Sequence, residues 1–136
     1  MSLERYEQPG AKIEYNVTEQ VEIPPLLLDG AQKSIANVWG KHIGKPTSVN
    51  LLFTNSLAYE ADDGRKLDPF GYYLPESDTI SFSLSRISEP SNDGKTDLHT
   101  IAMVAGHEAM HKVQVHRGEK MIPTAKLSEE EYANNP

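Results

Sequence analysis

The segment TIAMVAGHEAMHKVQ, residues 100–114, decides the fold of this 136-residue chain, because it joins an apolar run to a His-Glu-x-x-His pattern. Thr96 or Asp97 offers an N-terminal cap just before it. Gly118 supplies a C-terminal stop shortly after it. The sequence therefore predicts one helix over about 97–117, and the apolar first half of that helix predicts that it is buried.

Three side chains of this helix carry the candidate chemistry. His107 and His111 are four residues apart, so both imidazoles lie on one helix face and can bind one Zn²⁺. Glu108 lies about 100° round the helix axis from His107, toward the same space. Burying these three groups requires partners, and a metal ion is the simplest one. The alternative is an ordinary buried helix with hydrogen-bonded histidines.

Composition excludes several classes of protein. The length suits one domain with a modest core, and a net charge of −7 argues against nucleic acid or an anionic membrane as a partner. The absence of cysteine excludes disulfides, thiol catalysis and cysteine-ligated zinc. Because no signal peptide or membrane-spanning run is visible, we expect a cytoplasmic location. The composition does not indicate an oligomeric state. There is also no glycine-rich phosphate loop and no nucleophile elbow.

The rest of the chain predicts an α+β fold. Alternating apolar residues indicate strands, apolar residues at helical spacing indicate helices, and clusters of Gly, Pro, Asn and Asp separate them. In chain order the pattern predicts an extended segment at 13–23, a helix at 27–42, a strand at 49–53, a hairpin or excursion at 57–64, a hairpin at 71–84, the HExxH helix, and a short capped helix opening at 128–131.

This order of elements, with HExxH on the later helix, resembles the minimal zincin domain of zinc metallopeptidases. The resemblance covers about residues 27–136, with the pentad as its one sharp motif. It implies that residues 1–136 are a single zincin-like domain, in which an N-terminal helix and a small mixed sheet with a β hairpin pack on the HExxH helix. It further implies Zn²⁺ as cofactor, a peptide or protein as substrate, and Glu108 as the general base acting on a metal-activated water.

In zincins the strand before the active helix is a sheet edge that binds substrate by strand addition. Unpaired N–H and C=O groups of an edge strand suit an extended peptide. The resemblance assigns this role to Ile80, Ser81, Phe82, Ser83 and Leu84. The alternative function is an inactive zincin-like domain that binds a partner peptide or protein without catalysis.

A catalytic zinc needs three protein ligands, and the sequence supplies two. On a continuing helix His116 points about 180° away from His107, and His99 lies about 80° off the metal face, so we expect both to be structural. His42 is expected to be packed or half-exposed. Three places stay open for a ligand within the chain: His116 if the helix breaks before it, Glu119, and the acidic cluster at 129–131.

A second resemblance concerns this third ligand. The pattern His-Glu-x-x-His-x-x-Gln followed by Tyr-x-x-Asn-Pro is similar to small bacterial gluzincin-like proteins, whose third ligand is a Glu a few residues after Asn-Pro. It implies that the third ligand lies beyond Pro136 and that the domain is truncated at its C-terminus.

Further residues are candidates for supporting roles. Gln114 lies about 20° from His107 in projection, either behind the ligands or facing substrate. Tyr72, Tyr73 and Tyr132 are either oxyanion donors or packing aromatics.

Overall fold

The computed structural model describes residues 12–88 and 96–118. Within them the chain is α+β, as predicted. The elements in chain order are β1 (Ile13–Glu19), α1 (Pro25–His42), β2 (Thr47–Thr54), β3 (Tyr59–Glu60), β4 (Lys66–Leu67), β5 (Gly71–Leu74), β6 (Thr79–Ser83), α2 (Leu84–Ile87) and α3 (Asp97–His116). No helix of these residues is long and apolar enough to cross a membrane. The short helix predicted at 128–131 lies outside the described residues.

The principal sheet is mixed, with strand order β1-β2-β6-β5. β1 pairs with β2 and β2 with β6 in parallel, whereas β5 and β6 form the predicted antiparallel hairpin. Of the hairpin or excursion predicted at 57–64, the structure shows the hairpin, a separate antiparallel ribbon of β3 and β4.

This topology corrects one prediction. Ile80 to Ser83 were expected to form a sheet edge, but β6 is hydrogen-bonded on both sides, to β2 and to β5. Leu84, the last residue of the predicted edge, begins α2 instead. Residues 80–83 are all buried, on both faces of the strand, as expected for an inner strand. Among the described residues, the edge strand of this hairpin is β5.

One face of the sheet forms the core with α1 and α3. Phe53 of β2 and Phe82 of β6 stack on this face with ring centroids 4.9 Å apart. α1 contributes a buried stripe at four-residue spacing, consisting of Leu27, Ala31, Ile35 and Trp39. The helix therefore packs by the face that its sequence periodicity predicts.

α1 and α3 approach each other closely where their residues are small. The Ser34 hydroxyl donates a 2.7 Å hydrogen bond to the carbonyl of Ala102. A Cβ at Gly106 would lie 2.9 Å from the Ser34 Oγ. The single glycine of α3 thus allows contact with α1, directly before the first histidine of the pentad.

α3 has the predicted bounds. Thr96 is the N-cap, and its hydroxyl accepts a 3.1 Å hydrogen bond from the His99 amide. After the helix ends at His116, Gly118 adopts a φ of +77°, which favours glycine. Local capping signals therefore set both ends of the helix that carries the candidate site.

Candidate metal site

His107, Glu108 and His111 form a buried cluster on α3. Their side chains are nearly inaccessible to solvent, and one ligating atom from each lies within 4.8 Å of the others. The two imidazoles meet through their Nε2 atoms, which are 3.2 Å apart, with the rings nearly perpendicular at 82°. The predicted close approach of the two histidines on one helix is confirmed.

The distance between the two nitrogens fits a shared metal ion. Two ligands bound to a tetrahedral zinc at about 2.0–2.1 Å are separated by about 3.3 Å. The observed 3.2 Å is close to this separation, and it is also a hydrogen-bonding distance between the two rings. Two imidazole nitrogens and a carboxylate are a donor set that zinc accepts. These residues fit the group implied by the sequence.

Glu108 lies slightly farther from His107 than a second ligand of the same zinc would. Its Oε2 is 4.0 Å from the His107 Nε2, compared with about 3.3 Å for two ligands of one zinc. The carboxylate is fully buried. The Glu108 oxygen is thus farther from the His107 Nε2 than the His111 Nε2 is.

Gln114 supports the second histidine. Its side-chain Oε1 lies 3.0 Å from the His111 Nδ1. Burial lowers the pKa of His111, because desolvation disfavours the charged ring, and the hydrogen bond to Gln114 opposes this only in part. The neutral ring that results is the form that binds metal. Of the two roles left open for Gln114, the structure shows the contact behind a predicted ligand.

The edge strand β5 runs alongside this part of α3. A Cβ at Gly71 would lie 2.9 Å from the Val104 Cγ1 and 2.6 Å from the Ser81 carbonyl oxygen. Val104 belongs to the helix face that carries the two histidines. Only glycine therefore fits where β5 passes α3 at Val104, three residues before His107.

The candidate oxyanion donors are placed differently from one another. Tyr73 is buried, and its hydroxyl donates a 2.7 Å hydrogen bond to the Asp78 Oδ1. Tyr72 is the neighbouring residue on the strand and so points to the opposite face of the sheet. Tyr132 lies outside the described residues.

The other histidines do not join the cluster. His99 is exposed, and His116 is exposed with its ring 5.2 Å from the Trp39 ring. His42 is half-buried, as predicted. The remaining candidates for the third ligand within the chain, Glu119 and residues 129–131, lie outside the described residues.

The sequence interpretation missed the role of Lys112. The side chain of this lysine is buried. Its Nζ donates to Asp78 Oδ1 at 2.7 Å, to Asp78 Oδ2 at 2.9 Å and to the Ser48 carbonyl at 3.1 Å. Lys112 is four residues after buried Glu108, on the inward side of the helix. A buried charge requires a counter-charge. The helical spacing, which turns Lys112 inward, was therefore the signal in the sequence for an acidic partner.

Comparison of the chain with protein-family models, with curated proteins and with solved structures finds no match in any of the three. The functional interpretation consequently rests on the geometry of the site.

Proposed function

We propose that this chain is a zinc-dependent hydrolase of the zincin type that cleaves peptide bonds. The observation that carries the proposal is the 3.2 Å separation of the Nε2 atoms of His107 and His111, beside a buried Glu108 carboxylate. That separation matches two ligands of one tetrahedral zinc. The arrangement follows from the HExxH spacing, since a helix places residues four apart on one face.

In this proposal the histidines bind the metal and Glu108 transfers the proton. His107 and His111 hold the ion, and the neutral state of His111 leaves an imidazole nitrogen available for it. A bound zinc would supply a Lewis acid that lowers the pKa of water and polarises a carbonyl. Glu108 accepts the proton of the attacking water and passes it to the leaving amine. Its burial away from bulk solvent strengthens its electrostatic interactions with the reacting groups.

The topology changes the expected substrate position. An extended peptide adds to a strand that has an unpaired edge, and β5 is the edge strand that borders α3. We therefore propose Gly71–Leu74 rather than residues 80–84 as the strand that a peptide substrate would join. β6 then supports β5 from the inner side of the sheet.

Zinc titration of chelator-stripped protein tests the metal site. Calorimetry should give one zinc per chain for the parent, and His107→Ala and His111→Ala should each abolish stoichiometric binding. His99→Ala is the matched control, because His99 lies on the same helix but is exposed. A folded parent that binds no zinc, or a His99→Ala variant as impaired as the other two, would contradict the site.

Glu108→Gln tests the chemistry separately. The amide keeps the size of the carboxylate but cannot accept the water's proton, so we expect bound zinc and no hydrolysis. Cleavage of a pool of random peptides, read by mass spectrometry as new termini, provides the measurement. Glu60→Gln, at an exposed position, should cleave like the parent. A parent that binds zinc but cleaves nothing would contradict the hydrolase and favour the alternative of a peptide-binding domain.

A further inference from the structure

Gln114 is the polar side chain that contacts a candidate ligand from behind. It lies three residues after His111 on α3, so the two side chains are neighbours on the helix surface. The amide oxygen of Gln114 is 3.0 Å from the Nδ1 of His111. The opposite nitrogen of the same ring, Nε2, faces the His107 Nε2. One imidazole thus connects the glutamine to the centre of the site.

The identity of the contacting atom fixes the proton position on the ring. An amide oxygen can only accept a hydrogen bond, so the His111 Nδ1 must carry the hydrogen. A neutral imidazole has one N–H, which leaves the His111 Nε2 with a lone pair that faces the His107 Nε2, 3.2 Å away. In the neutral ring, the contact with Gln114 therefore selects one of the two tautomers.

We propose that Gln114 is the positioning residue of this site, holding His111 as the Nδ1–H tautomer with its Nε2 lone pair directed toward the space shared with His107. The consequence for zinc rests on the proposed function, whereas the consequence for the tautomer does not. The arrangement corresponds to the partner that metal-binding histidines commonly have on their second nitrogen, here supplied from the next turn of the same helix.

The tautomer can be read directly in metal-free protein. Long-range ¹H–¹⁵N correlation spectra distinguish protonated from unprotonated nitrogens of each imidazole. We expect Nδ1–H for His111 in the parent and a shift toward Nε2–H in Gln114→Met, which keeps side-chain length and helix propensity but removes the acceptor. Gln114→Glu, which keeps an acceptor oxygen, should retain Nδ1–H. Gln20→Met, at an exposed position outside the site, should match the parent.

Zinc affinity provides the second measurement. Loss of such a supporting contact commonly lowers metal affinity by about 10–100-fold, so Gln114→Met should weaken zinc binding by about this factor. Gln114→Glu should bind zinc at least as tightly as the parent. The His107 spectrum of both variants reports that the helix is intact.

The outcomes separate this inference from the proposed function. A parent that binds no zinc refutes the metal site, while the tautomer measurement still decides the role of Gln114. A parent that binds zinc with the same affinity as Gln114→Met overturns the positioning role and leaves the metal site standing. An Nδ1–H tautomer that persists in Gln114→Met overturns it as well.

Discussion

Helix α3 carries two kinds of buried polar group, and they differ in how their charges are matched. Lys112 has three N–H donors, and each meets an acceptor oxygen, two from Asp78 and one from Ser48. In contrast, His107, Glu108 and His111 bring together three groups that can all donate electron pairs to a cation. Lys112 therefore makes a structural contact with complementary partners, whereas the group of His107, Glu108 and His111 could hold a metal ion.

The Lys112 contact also ties the site helix to the sheet. Asp78 lies in the turn between β5 and β6, and Ser48 is in β2, so one ammonium group joins α3 to two parts of the sheet. The Tyr73 hydroxyl donates to the same carboxylate. Burial, and then the hydrogen bond to Asp78, raise the pKa of Tyr73 and keep its proton in place. Lys112 immediately follows His111, so the contact holds the helix in register beside β5.

Removing the Asp78 charge should give the largest effect on stability. Breaking a fully buried ion pair costs about 3–5 kcal/mol. Because the Asp78 side chain is 39% exposed while that of Lys112 is 8% exposed, we expect Asp78→Asn to lower the free energy of unfolding by about 2–3 kcal/mol. Asn is the appropriate replacement because residue 78 has a φ of +50°, which Asn tolerates. Urea unfolding measures the change.

The double variant sharpens this prediction. Lys112→Met alone should cost less than Asp78→Asn, because the half-exposed carboxylate stays partly hydrated and still accepts from Tyr73. Combining the two should cost less than the sum of the single effects, since no uncompensated charge remains. If the effects of the two single variants simply add, the ion pair with Asp78 is not what stabilises the buried Lys112.

The cluster around His111 should lose stability in acid, which is the opposite of what a histidine with a raised pKa would give. Burial lowers the pKa of His111 in the fold below its usual value of about 6.5. As the pH falls below about 6.5, the unfolded chain takes up a proton that the folded chain resists. The unfolding free energy of metal-free protein should therefore be highest above that pH. It should decrease as the pH falls further, until the pH reaches the pKa of His111 in the folded protein.

His111→Gln tests this, because it removes the titrating ring. Urea unfolding across the acidic range, with chelator present, should show a shallower decrease for His111→Gln than for the parent. His99→Gln, at an exposed position, should behave like the parent. Identical slopes for all three proteins would show that His111 does not contribute to the acid sensitivity.

The two regions also differ in how far the sequence could predict them. The bounds of α3, the pairing of His107 with His111 and the proximity of Gln114 all follow from helical spacing and local caps, which act within a few residues. The contact of Lys112 with Asp78 spans 34 residues and depends on tertiary packing.

The same limit explains the error about β6. Its pairing with β5 follows from a short hairpin, which the sequence indicated. Its parallel pairing with β2 joins residues such as Leu51 and Ile80, far apart in the chain, and no local signal specifies it. The strand consequently looked like an edge although it lies inside the sheet. The fully apolar or small character of residues 80–83 is typical of an inner strand in retrospect.

Removing a charge from an exposed ion pair should have the smallest effect on the free energy of unfolding. It gives the lower bound with which the loss from Asp78→Asn is compared. Asp29 and Lys33, four residues apart on α1, have oppositely charged groups 3.0 Å apart, close to the Lys112–Asp78 distance, but both side chains are about half exposed. Water already solvates these charges, so their attraction is weak. Asp29→Asn should change the unfolding free energy by less than about 0.5 kcal/mol, measured by urea unfolding beside Asp78→Asn. Equal losses from Asp29→Asn and Asp78→Asn would mean that the burial of Lys112 does not increase the stability that its carboxylate partner provides. The contact between α3 and the sheet would then be no stronger than a surface ion pair.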